Sequence, residues 1–555
     1  MDNNDHRMSQ RPLLFFPRVN RRVFSVSAIL IVGFIIFGAL FSDTANTIFS
    51  GAQTWLVSTL GWAMILLVNV LLIAVLYLTF GRFGDIRLGR MTEAPAYDLF
   101  SWTAMLFSAG IGIGLIYWGA AEPLYHFFAP PVGDAETEAA AKQAMTLSFL
   151  HWGFHAWAIY AVVALSLAYF HFRKGLPLTV RSALYPILGD RIFGFWGDVV
   201  DILAVFGTMF GIVTSLGLGA MQINSGLGQV FGVPQSAFVQ IVVIAGITAL
   251  ATLSVVAGLD AGIKRLSNIN ILLSIVFLAF ILAVGPTLFI FDTFVQSYGA
   301  YVSDLVSWGT WAEAWTDGGT WQDSWTIFYW AWWVSWAPFV GVFVARISRG
   351  RTIREFLLGV MLIPASIMFF WFSAFGGTAL SISLSGDPTL IEATRESYGN
   401  AMFALLDYFP ASELMSGFAI ILIVLWFVTS SDSGSFVIDM LTAGGDPDPP
   451  KVQRIFWAIS EGAVASVLLL AGGLSALQAA AVVAGFPFAI VILLIVIGLF
   501  KALSWDPLMV YRHNQRFRND DEADHAMPSE LPGTLYGDSP ETAPPGRTAA
   551  PDPAE

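Results

Sequence analysis

Residues 323–356 read DSWTIFYWAWWVSWAPFVGVFVARISRGRTIREF. The run combines five tryptophans, a proline and a glycine within an apolar segment, and four closing arginines, Arg346, Arg349, Arg351 and Arg354. On a helix advancing about 100° per residue, Trp332, Trp333 and Trp336 share one arc of roughly 100°, whereas Trp330 points away. If the helix enters a bilayer near Thr326 and leaves near Val344 to Arg346, Trp333 and Trp336 lie about 10–15 Å along it, near the midplane. Tryptophan is enriched at membrane–water boundaries, which suits Trp325 and Trp330 and does not suit Trp333 and Trp336.

The whole chain supports a membrane setting. It is 56% hydrophobic and only 12% charged, with a mean hydropathy of +0.69. Repeated apolar runs of about 20 residues are long enough to span a bilayer. Such composition excludes an ordinary soluble enzyme and identifies an all-α polytopic membrane protein. The basic N-terminus runs directly into a full-length apolar segment from Val23, so that first helix is expected to be retained. Cysteine is absent, which removes disulfides and thiolate chemistry. The net charge is −13, and the segment after Arg518 carries nine acidic residues against one basic residue, Arg547. Acidity concentrated in a Pro-, Gly- and Ser-rich tail argues for disorder there and against a nucleic-acid partner.

Twelve spans are expected, near residues 23–42, 56–80, 98–120, 144–171, 197–219, 236–258, 262–290, 326–348, 355–383, 411–441, 454–472 and 478–500. Every basic cluster then falls on one side, from Arg18, Arg21 and Arg22 to Arg512, Arg516 and Arg518. The opposite loops are acidic or uncharged. Positive loops stay in the cytoplasm, so both termini are expected inside, in a bacterial cytoplasmic (inner) membrane. Span three carries Gly110, Gly112 and Gly114, and span eight carries Pro338 and Gly341. These breakable helices are five spans apart, which gives them opposite orientations. The chain therefore divides into a tail (1–22), two peripheral helices (23–80), a first repeat (98–290), an external connection with a surface helix (291–325), a second repeat (326–500) and an acidic tail (501–555). This is a five-plus-five inverted repeat with a site expected where the two breaks meet.

Span four contains HWGFHAWAIY, residues 151–160, with Trp152, Trp157 and Tyr160 on one broad face at the same depth as Trp333. Converging rings make a cage for a quaternary ammonium, which cannot donate an ordinary hydrogen bond but is drawn to ring faces, at about 0.5–2 kcal/mol per ring. His151 and His155 have the spacing of a metal pair, but no neighbouring carboxylate cluster is evident in the sequence. Asp432 with Ser431 or Ser433 lacks a motif-linked base for hydrolysis. Thr429 and Ser430 instead suit a hard cation such as sodium. Glu122, in AAEPLYHF, stands near the outer end of span three, as a water-facing group or as part of a pathway.

These motifs, with GIGIGLIYWGAAEPL, SLGLGAMQI and TSSDSGS, resemble the betaine/choline/carnitine transporter family across about residues 23–505. The resemblance implies a leucine-transporter-type, twelve-span secondary transporter, often a homotrimer, for a small zwitterionic or quaternary ammonium or sulfonium solute. It implies an aromatic cage of Trp152, Trp157, Tyr160 and Trp333, with Trp336 and the Gly110, Gly112 and Gly114 backbone nearer the other end of the solute. Choline-preferring members carry an aspartate where Gly114 stands here, so glycine betaine or dimethylsulfoniopropionate is favoured over choline. No cofactor is expected beyond a coupling ion, sodium or a proton. The first sodium site of relatives uses two threonines four residues apart; here Thr208 is followed by Ile212. The second is matched by Thr429 and Ser430 with Ser108 and Ile111. Lys264 aligns with a cationic residue that replaces the ion in the sodium-independent carnitine exchanger, so sodium-independent choline/carnitine-type transport or exchange is the alternative. A non-transporting osmosensor or a channel using the same cage is the alternative from another class.

Overall fold

The computed structural model describes residues 11–13, 16–110, 112–257, 260–316 and 319–515. A short antiparallel pair, Arg11–Leu13 with Phe16–Val19, precedes an otherwise helical chain. Its principal helices are α1 (Arg21–Leu40), α2 (Ser42–Phe80), α3 (Leu99–Gly110), α4 (Ile113–Phe128), α5 (Glu138–Trp152), α6 (Phe154–Ala168), α7 (Phe195–Phe231), α8 (Ala237–Ala257), α9 (Asp260–Val284) and α10 (Thr287–Gly309). Then follow α11 (Thr326–Arg346), α12 (Ile353–Phe372), α13 (Ser412–Thr442), α14 (Lys451–Gly472) and α15 (Leu474–Ser504). Among the described residues nine helical segments are long and apolar enough to cross a bilayer, so the chain is a polytopic membrane protein. A further pair, α9 and α10, is bent by 111°. α10 covers the first part of the 291–325 connection in which a joining helix is expected.

The glycine break falls where the sequence places it: α3 ends at Gly110, and α4 starts at Ile113 after an extended Gly112. The second expected break is absent. α11 runs unbroken through Pro338, and Gly341 packs against α6, where an added Cβ would meet Val163 Cγ1 at 2.6 Å. A proline removes one donor from a helix, and membrane helices absorb that loss through their neighbours; Pro123, Pro364 and Pro487 also lie inside helices. The second interruption falls at Gly153, between α5 and α6. There the Phe154 N–H donates to the Tyr301 hydroxyl of α10 at 2.9 Å, and the His151 carbonyl accepts the Trp333 indole N–H at 2.8 Å.

α11 packs on α6, α7 and α15 at close range. Gly211 of α7 and Gly485 of α15 permit this, since a Cβ on either would meet Trp336 Cδ1 at 2.6 Å or the Ala331 carbonyl oxygen at 2.4 Å. Consequently the outer tryptophans are not boundary residues. Trp330 is fully buried and stacks on His155, with ring centroids 5.5 Å apart. Trp325 is buried against Tyr125 and His126, at 4.6 and 4.5 Å.

The arginine-rich loop after α11 also has a packing role. Arg351 is buried, lies over the Trp102 ring at 4.0 Å and donates to the Tyr97 carbonyl at 3.0 Å. Arg354 pairs with Asp85 at 2.9 Å, tying the loop to the α2–α3 connection. Nearby, half-buried Arg173 makes a two-pronged bond to the buried Asp506, Nε to Oδ2 at 2.6 Å and Nη2 to Oδ1 at 2.7 Å. Burial pushes the Asp506 carboxyl up, but the hydrogen bonds and charge of Arg173 outweigh it and hold the group below its ordinary value. A depressed carboxylate contributes stability above its unfolded pKa and loses it as pH falls through the folded value. Asp506→Ala strands the guanidinium and is expected to cost about 3–5 kcal/mol. Thermal melts of wild type and variant in detergent should differ fully near about pH 7 and draw together only as pH falls below the ordinary carboxylate range.

Candidate functional site

A cavity of about 840 Å³ lies between α4, α5, α6, α11 and α13. Trp152, Trp157, Tyr160, Trp333 and Trp336 all line it. Trp152 and Trp333 meet edge to face at 5.0 Å, Tyr160 and Trp333 at 6.2 Å, and Trp157 and Tyr160 at 5.4 Å. Mutually perpendicular rings around a void are the geometry that presents several π faces to one cation. Trp333 is fixed from behind. The Trp333 indole N–H is tied to the His151 carbonyl, and the ring stacks on Trp332 at 4.7 Å with an interplanar angle of 15°. Trp332 itself donates to the Gly211 carbonyl at 3.2 Å. By contrast the Trp336 indole nitrogen is buried without a hydrogen-bond partner among the described residues.

Gly112 and Gly114 line the same cavity. Gly112 caps α4 without a side-chain hydrogen bond, so the first N–H groups of that helix have no side-chain acceptor there. A free helix N-terminus receives a carboxylate well. Gly114 is held bare by its neighbours: an added Cβ would lie 3.0 Å from Cη2 of both Trp152 and Trp332. Gly110 is the last residue of α3.

Of the expected ion ligands, Thr429 and Ser430 line the cavity. The Thr429 hydroxyl accepts from Asn270 at 3.0 Å and donates to the Leu425 carbonyl at 2.8 Å. Thr208 is fully buried outside the cavity lining, and its hydroxyl has no partner among the described residues; Ile212 is also buried. Ile111 and the side chains of Ser108 and Lys264 lie outside the described residues.

Sequence reasoning missed the hub behind the cage. Glu122 is fully buried, and its carboxylate accepts the Trp152 indole N–H at 2.8 Å and the Tyr329 hydroxyl. His151 Nδ1 lies 2.7 Å from the same carboxylate and His126 Nε2 3.4 Å. His151 and His155 do not face one point, because the Gly153 break sends His155 to Asn69, at 3.2 Å, while His151 turns to Glu122. The ligand atoms of Glu122, His126 and His151 do lie within 4.8 Å of one another. The available signal was the four-residue spacing of Glu122 and His126, which puts them on one face of α4. Asp432 is likewise paired, with Arg454 at 2.6 Å, and Ser431 donates to Glu461 at 3.1 Å, so neither forms a nucleophile with a base.

The cavity runs from the cage to the exposed Tyr97 and Phe100 beside Arg346. At its other end stand the fully buried Trp118, Tyr329 and Glu122. A ring-lined cavity inside a bundle of apolar helices is a site for a small solute. A family model described as BCCT, betaine/carnitine/choline family transporter, matches residues 22–507. The chain is 44% identical over 511 residues to the glycine betaine/proline/choline transporter of Vibrio parahaemolyticus, covering 88% of this chain and 91% of that one. It is 44% identical over 484 residues to the glycine betaine transporter OpuD of Bacillus subtilis, covering 87% and 94% respectively. The protein belongs to the betaine/carnitine/choline transporter family: it is a multi-pass membrane transporter, not an enzyme.

Proposed function

We propose that this transporter takes up a betaine-type zwitterion, glycine betaine or dimethylsulfoniopropionate, by alternating access across a bacterial cytoplasmic membrane. One observation carries the reading: a ring cage and a helix N-terminus without a side-chain cap face the same cavity. The rings receive the trimethylammonium or sulfonium end. The N–H groups at Gly112 to Gly114, with the unpartnered Trp336 indole, receive the carboxylate. Choline lacks that second group. The relatives named as glycine betaine transporters support the same class.

The remaining architecture follows the sequence. Twelve spans form two inverted five-helix repeats, both termini lie in the cytoplasm, and the protomers assemble as a homotrimer. The cavity then opens inward in this conformation. Coupling uses sodium at Thr429 and Ser430 or a proton, and Ile212 leaves Thr208 without the second hydroxyl of a first sodium site. Reconstituted uptake of labelled betaine, dimethylsulfoniopropionate, carnitine and choline, with sodium and pH gradients imposed separately, is the test. Concentrative betaine uptake is expected. Dissipation of a betaine gradient without accumulation would overturn the carrier reading, and accumulation on a pH gradient alone would remove Thr429 and Ser430 as the coupling site.

A further inference from the structure

Glu122 does not line the cavity, yet two of the four cage rings are held through it and its immediate neighbour. An ionisable group buried within a membrane bundle is costly and rare. Here three groups converge on one carboxyl group: the Trp152 indole N–H donates at 2.8 Å and the Tyr329 hydroxyl also donates, both to Oε2, and His151 Nδ1 lies 2.7 Å from Oε1. An indole N–H can only donate, so Oε2 is an acceptor. His151 continues the chain: its Nε2 lies 2.9 Å from Thr326 Oγ1, and its backbone carbonyl holds Trp333.

Resting on the cage reading above, we propose that Glu122 is the positioning residue of the cage and also sets its affinity for cations. The carboxylate fixes the angle of the Trp152 ring. Its negative charge at the indole N–H also shifts electron density onto the ring face that meets the quaternary nitrogen. A cation held by ring faces responds to the ring quadrupole, and an anionic acceptor on the ring edge deepens that quadrupole. A carboxylate that only glued helices together would not discriminate between a cation and a neutral group of the same shape.

The test uses the full-length transporter in proteoliposomes, with betaine and tert-butylacetate, the isostere in which carbon replaces the quaternary nitrogen. Binding is read from quenching of tryptophan fluorescence and from competition with labelled betaine. Glu122→Gln keeps an acceptor oxygen for the indole and removes the charge. It is expected to weaken betaine binding about three- to tenfold and to leave tert-butylacetate within about twofold. Equal losses for both ligands, or none for either, overturn the proposal. Glu122→Ala, which removes the acceptor, is expected to weaken both. Should Glu122→Gln fail to insert, Tyr329→Phe leaves Oε2 to the indole and is expected to keep or widen the betaine preference; narrowing counts against the proposal. Failure of the cage reading is visible separately, because the wild type would then bind betaine and tert-butylacetate alike.

Discussion

Trp333→Ala is expected to weaken betaine binding about 30- to 150-fold while leaving membrane insertion intact, a loss of about 2–3 kcal/mol. The ring is edge-on to Trp152 at 5.0 Å and to Tyr160 at 6.2 Å, so its removal opens the cage on two sides. It also strips the donor from the His151 carbonyl at the Gly153 break, leaving a buried acceptor unpaired. Trp333→Phe separates these effects, since it keeps a π face and loses only the indole N–H. The order of affinities should run wild type, phenylalanine, alanine. Uptake and binding assays on protein quantified in the membrane check this; wild-type affinity in the alanine variant would sink the cage assignment.

Gly114→Asp should reduce betaine uptake by about 100-fold and turn choline from a poor competitor into a good one. The substituted residue lies in the first turn of α4, where its carboxylate occupies the anion position that the solute's own carboxylate needs. Like charges brought together in a site cost several kcal/mol, whereas choline, a cation without a carboxylate, gains a partner. Crowding contributes too, because the new Cβ must fit 3.0 Å from the tips of Trp152 and Trp332. Gly114→Ala carries the crowding without the charge. Competition assays with both solutes on the two variants distinguish them: equal behaviour of alanine and aspartate would discard the charge argument.

Much of this arrangement was legible from residue order alone. Hydropathy located the membrane segments, three closely spaced glycines located the α3–α4 break, and helical phase put Trp152, Trp157, Tyr160 and Trp333 toward one point. What remained hidden depended on partners distant in sequence. Pro338 carries the stronger local breaking signal, yet the interruption falls at Gly153, where Tyr301 and Trp333 satisfy the groups it frees. Local preference cannot register a donor supplied from another helix. Burial of Trp325 and Trp330 was hidden for a different reason. Lipid is as apolar as a protein interior, so a helix enclosed by others and one facing lipid look alike in composition. Glu122 was visible as an anomaly, and only the three-dimensional convergence of Trp152, His151 and Tyr329 gives it a place.

Tyr301 belongs to α10, the helix that turns by 111° after α9 and precedes α11. Its hydroxyl accepts the backbone N–H of Phe154, two residues beyond a cage tryptophan. The bend at Gly153 therefore has its keystone outside the bundle that encloses the solute. The same tyrosine packs its ring on Phe149 and Phe369, and α10 lies along α5, so the connecting segment braces the wall behind the cage instead of merely tethering two helices.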